Sequence, residues 1–177
     1  MNIFVTDPSP LISAQVLPDK HIVKMPLETC QMLAVVFSKW YFDWGDDVLP
    51  KKDGTPYNTQ KGAFRGHPCT VWAAKDECNT AWLIAHGFEL LREYKYRYGK
   101  IHSCDTAMKA AEKVFEKNTG RTLACCKGAT PFAFAGPDEF KNDTSIDIFT
   151  QYKKYIASKP WVATNYLRDP SRKPNWL

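Results

Sequence analysis

The sequence lacks the marks of several large protein classes. No apolar run approaches the roughly 18 residues needed to cross a bilayer, and no charged stretch followed by an apolar one opens the chain. Neither a membrane span nor a secretory signal is therefore expected, and the expected location is cytoplasmic. Cysteines stand at 30, 69, 78, 104, 125 and 126 with no C-x-x-C pair, and Cys125 and Cys126 are adjacent. The histidines at 21, 67, 86 and 102 form no H-x-x-x-H or H-E-x-x-H pattern. Free thiols are the expectation, with no metal site and no cofactor. No glycine-rich Walker or Rossmann pattern appears, which argues against nucleotide chemistry of those kinds. Repeats, low-complexity tracts and convincing period-two strands are also missing.

What is present points to a folded, mainly α protein. The chain has 177 residues, 44% of them hydrophobic and 14% aromatic, enough to bury a core in one compact domain spanning 1–177. The net charge of +5 is concentrated at one end. Residues 1–152 balance 18 Lys/Arg against 18 Asp/Glu, whereas residues 153–177 carry six cations (Lys153, Lys154, Lys159, Arg168, Arg172, Lys173) and Asp169 alone. Tyr155, Trp161, Tyr166 and Trp176 interleave with those cations. Cations for phosphates and rings for bases are what a nucleic-acid surface uses; a solvated basic tail with its rings packed on the core is the plainer alternative.

Periodicity predicts a bundle of helices with long irregular loops. Residues 2–6 read as extended or partly buried, and Asp7-Pro8-Ser9-Pro10 as a turn. Helices are predicted over 19–40, 70–98, 103–118 and 144–157, the last with Thr144 or Ser145 as its N-cap. A long loop covers 43–69, and 120–143 is irregular. The loop carboxylates Asp46-Asp47 and Asp138-Glu139 have no fixed geometry and are read as solvated.

Three clusters carry candidate chemistry. In Asp19-Lys20-His21-Ile22-Val23-Lys24-Met25-Pro26-Leu27-Glu28, an imidazole and a carboxylate lie seven residues apart, about two helical turns. His21, Lys24, Glu28, Gln31, Ser38 and Lys39 then share one stripe on a helix whose other faces are apolar, so the stripe is either a solvent window or a cleft wall. Pro26 either kinks this helix or begins it, and in the second case His21 leaves the stripe. Second, Arg65-Gly66-His67-Pro68-Cys69-Thr70 leads into a helix for which Thr70 is the expected N-cap; Arg65 and His67 there could meet an anion. Third, residues 92–102 hold Arg92, Lys95, Arg97 and Lys100 with three tyrosines, more cations than capping a helix end requires, which suggests a surface for a phosphate backbone.

The first cluster resembles the pyrimidine-dimer DNA glycosylase family of the endonuclease V type, in phage and bacteria. Members begin with a short segment whose α-amine is the nucleophile, followed by a helix bearing Asp-x-His and a catalytic Glu seven residues after the His. Asp19-Lys20-His21 and Glu28 match that spacing, and Met1-Asn2-Ile3 and His67-Pro68 are similar to bacterial relatives. The resemblance implies a compact helical fold and a DNA glycosylase with AP-lyase activity on damaged or modified pyrimidines. It assigns the nucleophile to the amine of Met1, or of Asn2 if Met1 is removed. Glu28 would stabilise the cationic sugar and move protons, and His21 would hold phosphate or the Glu. Lys20, Lys24, Arg65, His67, Arg97, Lys100, Lys153 and Lys154 would bind double-stranded DNA, with the protein acting as a monomer. Leu27 and Gln31 stand where the best-known members carry arginines, and Lys20 and Lys24 are the candidates to replace that charge.

Two other readings use the same residues. A phage enzyme that hypermodifies thymine also needs an extruded base, a carboxylate and a basic groove. A non-catalytic binder of nucleic acid or of a host protein would leave His21 and Glu28 as a solvated stripe. The distance from the N-terminal nitrogen to the Glu28 carboxylate separates a catalytic arrangement from that last one.

Overall fold

The computed structural model describes residues 1–46, 48–126 and 128–177; Asp47 of the Asp46-Asp47 pair lies outside the described residues. These residues form seven α-helices: α1 (Pro10–Gln15), α2 (Asp19–Phe37), α3 (Pro68–Lys75), α4 (Glu77–Tyr98), α5 (Asp105–Thr119), α6 (Asp138–Lys141) and α7 (Ile148–Ala157). Among them no strand forms, and the only β pairing is an isolated bridge between Pro50 and Pro56. The fold is mainly α, as periodicity predicts.

Helix α2 is the centre. Fourteen of its nineteen residues are buried, which makes it a core helix and not a surface one. It packs against α3, α4, α5 and the 3-10 turn Asn58–Lys61. Ile22, Met32, Leu33, Val35, Val36 and Phe37 are fully enclosed, each contributing about 1.5–3 kcal/mol of apolar burial. The helix runs through Pro26 without a break and begins at Asp19, with Pro18 at its N-cap, so His21 stays on the helix. Where α4 comes close, Gly87 replaces a side chain: a Cβ there would lie 2.5 Å from Met108 Cε and 3.0 Å from Thr29 Cγ2.

Several predicted boundaries move for local reasons. The helix expected over 70–98 is two helices. Asp76 adopts an extended conformation, ends α3, and its carboxylate accepts from Cys78 N at 2.7 Å to start α4. The cap of α3 is His67, not Thr70: His67 Nδ1 accepts from Cys69 N at 3.2 Å with Pro68 following, and Thr70 is buried inside the helix. Helix α7 starts at Ile148, because Asp147 accepts from Thr150 N at 2.7 Å, while Ser145 is held in a turn on Asp143. The turn at 7–10 continues into α1, capped by Ser9 with Pro10 at the first helical position.

A buried ionic network joins four segments. Arg97, whose side chain is fully enclosed, pairs with Asp19 at 3.0 Å and Glu93 at 2.8 Å. It also donates to the carbonyls of Leu17 and Gln15, each at 2.8 Å. Asp19 accepts further from Leu167 N at 2.8 Å and Arg168 N at 3.1 Å, and Arg172 pairs with Glu93 at 2.8 Å. Arg97, expected from the sequence to contact DNA, is instead enclosed, with its hydrogen bonds directed into the protein. Part of the basic tail is likewise structural. Tyr166 is buried and donates to Val16 O at 2.7 Å, while the guanidinium of Arg168 lies over Tyr98.

Replacing Arg97 with Met would leave the Asp19 and Glu93 carboxylates buried without their partner. We expect a loss of about 3–5 kcal/mol in urea unfolding, since removing one member of an enclosed ion pair costs about that much.

Candidate active site

The chain start is fixed by side chains. Asn2 Oδ1 accepts from Ile3 N at 2.8 Å and Phe4 N at 3.1 Å, and Asn2 Nδ2 donates to the carbonyl of Ala135. Ala135 is held in turn by Tyr152 of α7, whose hydroxyl accepts from Ala135 N at 3.1 Å and donates to Ala133 O at 2.9 Å. Phe4 has φ of +41°, a left-handed conformation that bulky residues rarely take. This turn brings the Phe4 ring onto His21, with centroids 4.2 Å apart and planes 17° from parallel. Residues 2–6 are all buried.

These restraints deliver the Met1 amine to α2. Its nitrogen lies 3.8 Å from Glu28 Oε2, and Lys24 Nζ lies 3.1 Å from Glu28 Oε1. The Glu28 side chain is 9% exposed, and the part of the stripe made by His21, Lys24 and Glu28 is a cleft wall, while Gln31, Ser38 and Lys39 lie outside this cleft. Lys20, His21, Lys24 and Glu28 line one wall of a cleft of about 360 Å³; Tyr155, Lys159 and Trp161 line another, with Met1, Asn2 and Phe4 between. Three lysines and the terminal amine face a single carboxylate. Lys20 lies 4.6 Å from the Trp161 ring centroid, and Lys159 lies 4.1 Å from that of Tyr155.

The two imidazoles near Glu28 are held neutral. Burial, then the charges of Lys159 and Lys24, push His21 down to about 3. Its ring meets Trp161 edge-on at 5.6 Å, and its buried Nδ1 has no hydrogen-bond partner among the described residues. His67 is also shifted down, by burial and then by the Met1 amine, with Glu28 pulling the other way. His21 therefore lines the cleft as a neutral ring, not as a cation.

The other predicted DNA contacts stand outside this cleft. Arg65 is exposed, with its guanidinium 4.5 Å from the Trp40 ring centroid. Lys100 is exposed beyond α4, and Lys154 pairs with Asp143 at 3.3 Å. Lys153 is half-buried on α7. Sequence reasoning missed Phe4, Tyr155, Lys159 and Trp161 as cleft residues. Only the interleaving of cations and rings in the tail pointed to the last three. Among the described residues, no group of three His, Cys, Asp or Glu side chains is arranged to hold a metal, and no helix is long and apolar enough to cross a membrane.

Both His21 and the fully enclosed His86, which burial pushes down to about 3, resist protonation in the folded state. Unfolded, each takes a proton near its ordinary value of 6.5. Between those values the unfolded chain binds more protons, so stability is complete above 6.5 and falls as pH drops toward 3. Urea midpoints measured across that range should fall with pH, and His86→Leu should flatten the slope.

The cleft's amine, its carboxylate and two of its lysines, Lys20 and Lys24, lie in the segment of the chain that matches a known family, and Lys159 lies outside it. The family model described as pyrimidine dimer DNA glycosylase matches residues 1–106 of the 177. No curated protein and no solved structure matches the chain. Residues 1–106 hold α1 to α4 with Met1, His21 and Glu28, and the chain belongs to the pyrimidine dimer DNA glycosylase family.

Proposed function

We propose that the protein is a DNA glycosylase with linked AP-lyase activity, acting on damaged or modified pyrimidines in double-stranded DNA. The observation that carries this reading is the Met1 nitrogen, 3.8 Å from the Glu28 carboxylate in a cleft lined by lysines. A primary amine and a carboxylate at that separation are the parts that imine chemistry at a sugar carbon requires.

The proposed reaction uses these groups in turn. Glu28 accepts a proton from the amine, freeing its lone pair. The nitrogen attacks C1′, the bond from C1′ to the base breaks, and the base leaves with the bonding electrons and takes up a proton. The nitrogen gives up a proton, the C1′–O4′ bond breaks with O4′ taking up a proton, and an iminium forms between the residue-1 nitrogen and C1′. A proton then leaves C2′, with Glu28 again the nearest carboxylate, and the 3′ phosphate departs by β-elimination. Positive charge builds on the sugar before the imine forms, and the negative Glu28 beside it stabilises that charge. If Met1 is removed, the amine of Asn2 takes the same part.

The walls serve binding. Lys20, Lys24 and Lys159 meet phosphates, while Trp161 and Tyr155 offer faces for an unstacked base or sugar. His21, neutral and lining the cleft, packs beside the substrate and fixes the Phe4 turn by stacking. His67 orients the neighbourhood of the amine while capping α3. Arg65, Lys100, Lys153 and Lys154 extend the contact to phosphates farther along the duplex. Leu27 and Gln31 withhold charge from the segment around Glu28, so phosphate contact falls mainly to the lysines.

Glu28→Gln keeps the shape and removes the proton acceptor. Strand cleavage of a duplex with an abasic site or a pyrimidine dimer should fall by about 10²–10⁴-fold, with duplex affinity at fixed salt retained. Cleavage at the wild-type rate would refute the assignment of Glu28. A second check uses charge: Lys159→Ala should weaken binding uniformly across sequences and lower the slope of log affinity against log salt by about one phosphate contact.

A further inference from the structure

Among the described residues, three other than glycine hold a left-handed backbone: Phe4, Asp43 and Phe64. Phe4 has a use for it in the cleft, where its ring covers His21. Phe64, with φ of +65°, is 52% exposed. A bulky residue in that conformation is rare and unfavourable, and such outliers cluster at functional sites. Neither burial in the core nor the chemistry at Glu28 accounts for this one.

The turn that carries Phe64 is tightly made. It leaves the 3-10 turn Asn58–Lys61 through Gly62, whose φ is +102° and where a Cβ would lie 2.7 Å from the Trp40 ring. Gly62 O accepts from Arg65 N and from Arg65 Nη1, both at 3.3 Å, and Phe64 O accepts from His67 N at 3.0 Å. The Tyr41 hydroxyl donates to Arg65 O, and the Arg65 guanidinium lies over the Trp40 ring. The backbone around Phe64 is bonded on both sides while the residue itself stays exposed.

Both ends of this segment are tied to the parts that bring the amine to Glu28. Upstream, Thr59 donates at 2.9 Å to the carbonyl of Gln31, three residues beyond Glu28 on α2. Downstream, His67 caps α3, and Cys69 Sγ in the first turn of that helix lies 3.8 Å from the Tyr152 hydroxyl, which holds Ala135 and through it Asn2. The surroundings suit a polyanion. Residues 54–75 contain no Asp or Glu and carry Lys61, Arg65 and Lys75. Trp40 is 41% exposed, and Lys39 lies 5.9 Å from its ring centroid. An apolar ring at the tip of a fixed turn, with cations and a second ring at its base, is the equipment of a side chain that enters a base step while its neighbours hold the phosphates.

We propose that Phe64 is a wedge that enters the base stack of the bound duplex beside the reacting nucleotide, with Lys61 and Arg65 on the flanking phosphates. The proposal rests on the glycosylase reading above and supplies a step which that reading lacks. A nucleotide stacked inside a duplex cannot reach an amine inside a cleft. Prying one step apart frees that nucleotide to swing toward Met1 and Glu28. The left-handed turn holds the ring out without relying on a flexible loop.

The test uses the full chain and a duplex that carries an uncleavable abasic analogue with 2-aminopurine as the adjacent base, whose fluorescence rises on unstacking. Wild-type protein should give the rise, and Phe64→Ala should bind the duplex with little of it. Phe64→Leu, which keeps an apolar wedge, should recover most of it. On a cleavable abasic duplex, Phe64→Ala should be slower by about 10–100-fold, because the unstacking of a base step is no longer compensated. On the same abasic strand left unpaired it should match wild type, which also shows that the variant is folded. A full rise and an unchanged duplex rate in Phe64→Ala would overturn the proposal, as would an equal loss of rate on the unpaired strand, since that loss belongs to a structural role. The fluorescence needs no catalysis. A rise that depends on Phe64, in a protein that forms no adduct with any abasic strand, would refute the lyase reading and support the wedge.

Discussion

The arrangement of the cleft depends on one enclosed guanidinium. Arg97 takes carboxylates from α2 and α4, the carbonyl of Gln15 at the end of α1 and that of Leu17 in the link to α2. Through Asp19 the same network reaches the backbone of the C-terminal tail. A buried ion cluster is weak as a source of net stability, because desolvation offsets most of the attraction. Its consequence here is positional. It fixes the first turn of α2, two residues before His21, against the tail segment that follows the opposite wall of the cleft. Once that turn is placed, helical geometry sets Lys24 and Glu28, and the tail's path sets Lys159 and Trp161.

A second constraint acts from the other end. The chain start has no secondary structure to hold it, and it is held by polar contacts instead: Asn2 binds its own following amides and the Ala135 carbonyl, and Ala135 hangs on Tyr152. The unusual backbone of Phe4 lets its ring cover His21, which excludes water from one side of the imidazole and keeps it uncharged. The amine and Glu28 meet because two scaffolds converge. Neither lies wholly within the family-matched span: the first reaches Leu167 and Arg168, the second Ala135 and Tyr152, and the wall made by Tyr155, Lys159 and Trp161 lies outside it as well.

What could be read from the sequence follows from the range of the interactions. The seven-residue spacing of His21 and Glu28 is a local helical property, and it holds. So does the apolar remainder of α2, whose periodicity requires burial. Whether the polar stripe met water or a cleft was not legible, because the covering wall comes from residues about 130 positions away. Arg97 misled for a related reason: a cation near a helix end suggests solvent or a phosphate, and nothing local reveals two carboxylates waiting inside. Asp76 ended a helix that periodicity carried straight through, since the apolar pattern on either side stays in phase. The basic tail divides between the two readings open for it, with Tyr166 and Arg172 spent on the core and Lys159 and Trp161 on the cleft.

The central claim is that the amine of residue 1, and not a lysine, forms the covalent bond to the sugar. Lys20, Lys24 and Lys159 line the same cleft and could in principle compete. Borohydride reduction during reaction with an abasic duplex, followed by protease mapping of the trapped protein–DNA adduct, separates them. The account predicts an adduct on the N-terminal peptide, at the nitrogen of Met1 or of Asn2. An adduct on a lysine of α2 or on Lys159, or no adduct at all, would contradict it.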